Sequence, residues 1–133
     1  MGQPSNERTV AVVDDDASVR VAIRSLLRSL GFRVETFGSA EDVIAFAGLG
    51  DVACLIVDVR LPGMTGLDLQ RHLAAAGSGT PLVFITAHDD PADRRQAVAG
   101  GALAFLRKPF SDGALIDAVR AALGRAGGHH SNP

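Results

Sequence analysis

The sequence predicts an α/β fold: a doubly wound, five-stranded parallel sheet with helices on both faces. Two observations point there. Short continuous apolar runs recur at residues 10–13, 54–57, 82–85 and 102–106, and unbroken β-branched runs are what strands buried on both faces look like. Between them lie longer segments whose apolar residues return every three or four positions, the period of a helix packed on one side. Strands alternating with helices build a parallel sheet covered on both faces.

The first strand covers about residues 9–13. In the helix after it, Val19, Ala22, Ile23, Leu26, Leu27 and Leu30 share one face, with Arg20, Arg24 and Arg28 on the opposite stripe. Gly31 supplies its C-terminal stop. Residues 33–37 mix polar and apolar side chains, as an edge strand does. Ser39 followed by Asp42 resembles a capping box for a second helix carrying Val43, Ile44 and Phe46. The third strand, at about 53–57, leads to a helix marked by Leu69 and Leu73 and ended by Gly77-Ser78-Gly79. The fourth strand, at about 82–86, precedes a short helix opened by Pro91 and closed by Gly100-Gly101. The fifth, at about 103–107, precedes a helix set by Leu115, Val119, Ala122 and Leu123. Central apolar strands, a mixed edge and right-handed crossovers fit strand order 2-1-3-4-5, the flavodoxin-like arrangement. Residues 8–124 form the domain, and 125–133 a short polar tail.

Composition excludes several classes. A chain of 133 residues buries enough surface for a core without staples. Its apolar stretches fall far short of the roughly 20 residues of a membrane span. A net charge of −2 leaves no basic footprint for nucleic acid. Cys54, the only cysteine, reads as a small core hydrophobe. Lys108 is the only lysine and sits between Arg107 and Pro109, so no phosphate-binding Gly-Lys-Ser/Thr loop exists. Gly48-Leu49-Gly50-Asp51-Val52-Ala53 has the dinucleotide-loop spacing but follows a helix and enters a strand, the reverse of the required context. His72, His129 and His130 read as exposed side chains, not metal ligands.

In a doubly wound sheet the ligand site lies at the carboxyl ends of the strands, where the winding reverses. Here the first strand ends in Asp14-Asp15-Asp16, the third in Asp58, the fourth in Thr86, and the fifth runs into Lys108-Pro109. An acid past a strand end is ordinary as a helix N-cap, and Asp16 is read that way. Convergence of Asp14, Asp15 and Asp58 is less ordinary. Two carboxylates about 5 Å apart repel by roughly 3 kcal/mol at an effective dielectric near 20. Such a cluster needs a cation, and Mg²⁺ favours a few carboxylates with phosphate and water. Carboxylate, metal, hydroxyl and ammonium together make a phosphoryl-transfer site, in which an Asp can be the covalent acceptor.

Four motifs carry a family resemblance. They are Val12-Val13-Asp14-Asp15-Asp16; Asp58-Val59-Arg60-Leu61-Pro62-Gly63-Met64-Thr65-Gly66; Phe84-Ile85-Thr86-Ala87-His88; and residues 101–110, ending Lys108-Pro109-Phe110. Over about residues 8–124 the chain resembles a response-regulator receiver domain, most like receivers of the nitrogen-fixation regulator type. The resemblance implies a two-component signalling phosphoacceptor rather than an enzyme with external substrates. Asp58 would accept a phosphoryl group from a sensor histidine kinase or phosphotransfer protein. Asp15 would bind Mg²⁺ directly, Asp14 through water, and the Arg60 backbone carbonyl would complete the protein ligands with Asp58. Thr86 and Lys108 would bind phosphoryl oxygens, the Lys108–Pro109 bond would be cis, and Arg60 and His88 would tune phosphate lifetime. Thr86 and Phe105 would form the switch, although alternation with Leu103 equally permits Phe105 a plain core role.

A switched surface on the fourth helix, fifth strand and fifth helix implies a downstream protein partner and leaves room for a phosphorylation-dependent homodimer. Localisation is expected to be cytoplasmic, with neither nucleic acid nor membrane bound directly. The initiating Met1 and the short tail favour a stand-alone regulator over a receiver cut from a longer transcription factor or hybrid kinase. Presence of every acid and the lysine disfavours an unphosphorylated pseudo-receiver. A haloacid-dehalogenase-type phosphatase is disfavoured because Arg60 stands where its second acid belongs.

Overall fold

The computed structural model describes residues 8–128, with side chains in the last helix described as far as residue 124. Five parallel strands, β1 (Thr9–Val13), β2 (Arg33–Phe37), β3 (Val52–Asp58), β4 (Leu82–Thr86) and β5 (Ala104–Arg107), lie in the order β2-β1-β3-β4-β5. Helices α1 (Ala17–Ser29), α2 (Ala40–Ala45), α3 (Gly66–Ala75), α4 (Pro91–Ala99) and α5 (Asp112–Gly128) connect and flank them. This is the doubly wound arrangement the strand and helix periods predict, with β2 and β5 at the edges. A 3₁₀ turn at Leu49–Asp51 leads directly into β3, so the glycine-spaced segment there opens no helix.

Alternation along the strands divides the core into two layers. Val10 and Val12 pack with Ile23 and Leu27 of α1 and Leu115 and Val119 of α5. Ala11 and Val13 face the other way, toward Ala40 and Val43 of α2, Leu69 and Leu73 of α3, and Ala97 of α4. Full burial of a side chain such as Leu27, Leu55 or Phe84 contributes about 1.5–3 kcal/mol. A one-residue slip in any central strand would exchange the two layers. The register that satisfies the core therefore also fixes which residues end each strand.

Local signals set most helix ends. The Asp16 carboxylate caps α1, accepting from Ser18 N at 2.9 Å and Ser18 Oγ at 2.7 Å. Gly31, at φ 95°, turns the chain out of it. Ser39 caps α2 by accepting from Asp42 N at 3.1 Å, but no reciprocal bond from the Ser39 backbone to Asp42 accompanies it. The reciprocal box forms instead at α3, between Thr65 and Asp68. Asp90 precedes Pro91 and caps α4. Helix α5 runs on to Gly128, beyond the apolar period that ends at Leu123. His72 is exposed, whereas His129 and His130 lie outside the described residues. Among the described residues no helix is long and apolar enough to cross a membrane.

Cys54 is fully buried in β3, and burial pushes its thiol up to about 12. Its reaction with a thiol reagent should therefore wait on unfolding, with labelling immediate in denaturant and very slow in buffer. Labelling in buffer at the rate of an exposed thiol would contradict the central position of β3.

Candidate functional site

The carboxyl ends of β1, β3, β4 and β5 converge on one crevice. Asp14 follows β1 and is completely buried, while Asp15 beside it is exposed. Asp58 is the last residue of β3 and only 5% exposed. One carboxylate oxygen from each of Asp14, Asp15 and Asp58 can be chosen so that all three lie within 4.8 Å of one another.

Lys108 holds this cluster together. It leaves β5 just before a cis peptide bond to Pro109, and its backbone N–H donates to the Thr86 carbonyl at 2.7 Å. Its ammonium donates to Asp14 Oδ2 at 2.8 Å and to Asp58 Oδ2 at 3.0 Å. Burial alone would lower the Lys108 pKa, but the bonds to Asp14 and Asp58 outweigh it and raise the group above its ordinary value. Asp58 is shifted upward, chiefly by burial and with the Asp14 charge adding. The Arg60 backbone N–H, at 2.9 Å from Asp58 Oδ1, and Lys108 both oppose the shift. A unique lysine thus lies across the acidic cluster and opposes the effect of burial on Asp58 without cancelling it.

Several groups fix the frame. The Asp14 backbone N–H donates to the Phe37 carbonyl at 3.1 Å, and Asp14 Oδ1 accepts from Asp16 N at 2.8 Å. Arg20, placed by periodicity on the outer stripe of α1, instead folds back and donates to the Asp14 carbonyl at 2.6 Å. Gly66 begins α3 against β3, where a Cβ would lie 2.4 Å from the Asp58 carbonyl oxygen. Glu41 of α2 accepts from Met64 N at 3.0 Å, a bond that holds its carboxyl below the usual range and ties the loop after Asp58 to α2. The contacts of Arg20, Gly66 and Glu41 have no sequence signal, because each joins residues from separate elements or depends on close backbone approach.

Among the remaining expected residues, the side chains of Thr86, Phe105 and Arg60 contact partners other than the three acids. Thr86 is buried, and its hydroxyl closes on the next turn, donating to the His88 carbonyl at 2.8 Å and accepting from His88 N at 3.0 Å. The His88 side chain belongs to an exposed residue. Phe105 is half-buried, its ring 6.4 Å from that of Phe84 and 4.7 Å beneath the Arg94 guanidinium. The Arg60 side chain points away from Asp58 toward α4, with Nη2 2.8 Å from Asp93 Oδ2 and 3.4 Å from Asp90 Oδ2.

Comparison with known proteins agrees with the fold. Residues 10–120 match the family model described as the response regulator receiver domain. The chain belongs to the response-regulator receiver family. Nodulation protein W of Bradyrhizobium diazoefficiens is 44% identical over 123 residues, which are 92% of this chain and 54% of that protein. Transcriptional regulatory protein FixJ of Azorhizobium caulinodans is 42% identical over 120 residues, 88% of this chain and 56% of that one. A solved receiver protein from Burkholderia phymatum superposes with a TM-score of 0.76 at 48% identity, covering 89% of this chain and 96% of that one. The chain spans about half the length of the curated relatives it matches. A receiver is a two-component signalling phosphoacceptor rather than an enzyme with an external substrate, and its phosphodonor partners are histidine kinases.

The acidic triad is typical of a receiver metal site. Its donors are all hard carboxylate oxygens within 4.8 Å of one another, a set that fits a hard divalent cation.

A raised carboxyl pKa means that folding favours the protonated acid, so stability falls as pH rises from 3.8, the ordinary Asp58 value, through the raised one. At pH 7 with chelator, Asp58→Asn should therefore unfold at a higher temperature than wild type. That advantage should shrink at pH values below 3.8, where both chains carry a neutral side chain. An equal or lower midpoint at pH 7 would show that Lys108 more than offsets the burial of Asp58.

Proposed function

We propose that this chain is a cytoplasmic receiver that takes a phosphoryl group from a phosphohistidine onto Asp58. In the transfer the phosphorus–nitrogen bond of the donor breaks as an Asp58 oxygen–phosphorus bond forms, and the imidazole leaves. The observation that carries this reading is the Lys108 ammonium lying between Asp14 and Asp58, with Asp15 alongside. Mg²⁺, held by Asp14, Asp15, Asp58 and the Arg60 backbone carbonyl, would supply further positive charge against the phosphoryl oxygens.

A carboxylate needs no general base to attack, and Lys108 and the Arg60 backbone N–H oppose the upward shift that burial gives Asp58. Once Asp58 is phosphorylated, Lys108 neutralises a phosphoryl oxygen as a compact point charge. Thr86 can give its hydroxyl to another phosphoryl oxygen only by leaving the His88 backbone. That exchange opens room beside Phe105, which turns inward and changes the surface of α4, β5 and α5 for a downstream protein partner or a second copy. Coupling of this kind is typically about 1–3 kcal/mol. Arg60 and His88 border the site and set the lifetime of the acyl phosphate. Phe105 has no hydroxyl, so its part in the switch is packing alone.

The absence of a second acid at Arg60 argues against a phosphatase, and the assembled acids and lysine argue against a pseudo-receiver. A stand-alone regulator remains one form of the proposal. A second form, the receiver portion of a longer regulator, is favoured by the match to only 54–56% of Nodulation protein W and FixJ.

Intact mass after incubation with Mg²⁺ and acetyl phosphate should increase by one phosphoryl group. The increase should be absent with chelator and absent in Asp58→Asn. Equal incorporation by wild type and Asp58→Asn would remove Asp58 as the acceptor. Uptake neither from acetyl phosphate nor from a phosphorylated kinase would overturn the proposal.

A further inference from the structure

Arg60 lies between two claims on its charge. Its backbone holds Asp58, while its guanidinium reaches across the crevice to the first turn of α4. Asp93 Oδ2 is buried with no hydrogen-bond partner, and its 2.8 Å contact to Arg60 Nη2 is an ion contact outside hydrogen-bond alignment. Asp90, the N-cap of α4, adds a longer contact at 3.4 Å. A guanidinium there also faces the positive end of the helix dipole, equivalent to about half an elementary charge. Arg60 is therefore held by two carboxylates against an opposing field, and its side chain is half-exposed.

We propose that Asp93 is a positioning residue that withholds Arg60 from the phosphoryl site, so that phosphorylation of Asp58 draws the guanidinium off α4. This rests on Asp58 being the phosphoacceptor. An acyl phosphate adds charge and three acceptor oxygens two residues from Arg60, and Arg pairs with such oxygens through charge-assisted bonds. When Arg60 leaves, Asp93 Oδ2 is left buried without a counter-charge, which is costly. The Asp93 side chain is 17% exposed, so a shift of the first turn of α4 can bring the buried oxygen to water. Charge placed at the end of β3 is thereby converted into displacement of α4, by a route separate from Thr86 and Phe105.

The test is a double-mutant cycle on the initial rate of phosphoryl uptake from subsaturating acetyl phosphate with Mg²⁺. Wild type, Asp93→Asn, Arg60→Gln and the double variant are compared by intact mass. Asp93→Asn should react about two- to fivefold faster than wild type, the factor an ion pair of this exposure is worth. Arg60→Gln should react more slowly, and the double variant should match Arg60→Gln. A similar acceleration in the Arg60→Gln background would overturn the proposal, because loss of a negative charge would then act through space without Arg60. No acceleration in Asp93→Asn, with wild type phosphorylated normally, would overturn it as well. A wild type that takes up no phosphoryl group from acetyl phosphate or kinase would overturn the acceptor reading, and this inference with it.

Discussion

The lysine lying across two buried acids is the contact on which this site depends. Asp14 and Asp58 end neighbouring central strands, and the β1–β3 register that buries Val13 against Val57 places them together. Without a cation their repulsion would oppose that register. Lys108 supplies the cation from the far side of the sheet, because its backbone N–H continues the β4–β5 pairing at the Thr86 carbonyl. The same register therefore assembles the apolar layers and the charged cluster, and one ammonium makes the two compatible.

Compatibility is incomplete, and that incompleteness suits a signalling site. Asp58 remains harder to ionise than an exposed aspartate even with Lys108 beside it. Sites kept short of optimal stability can gain from a ligand or a modification what the apo fold lacks. Around the cluster, contacts differ in how readily they can change. Gly66 against the Asp58 carbonyl and Arg20 on the Asp14 carbonyl hold backbone. Thr86 on His88 and Arg60 on Asp93 hold side chains that a new anion could attract.

The sequence made the rigid half of this arrangement legible and left the movable half hidden. Apolar runs locate the central strands because continuous burial on both faces leaves no room for polar residues. Once strand order follows from those runs, Asp14, Asp15, Asp58, Thr86 and Lys108 fall at one edge without any knowledge of side-chain conformation. Arg20 shows the limit: periodicity places it correctly on the outer stripe of α1, yet its long side chain curls back to a carbonyl six residues earlier. Thr65 and Asp68 carry an explicit capping pattern that the helical period of α3 overshadowed, while the similar Ser39–Asp42 spacing forms only half a box. Arg60–Asp93 and Glu41–Met64 bridge elements far apart in sequence, where neither periodicity nor spacing has anything to say.

Helix α4 explains why such bridges matter. Ala97 is its only fully buried residue, and Val98 stands 62% exposed, so little apolar area fastens it to the sheet. Polar contacts fasten its two ends instead. At the C-terminal end, buried Gln70 donates to the Ala97 carbonyl at 3.0 Å and lies against Gly100, where a Cβ would meet its amide at 2.5 Å. At the N-terminal end, Arg60 faces Asp90 and Asp93. Buried amide packing of the first kind is indifferent to charge placed on Asp58, whereas the ion pair of the second kind is not. A helix pinned at one end by shape and at the other by charge has a defined pivot, and a change of charge in the crevice acts on the end that can move.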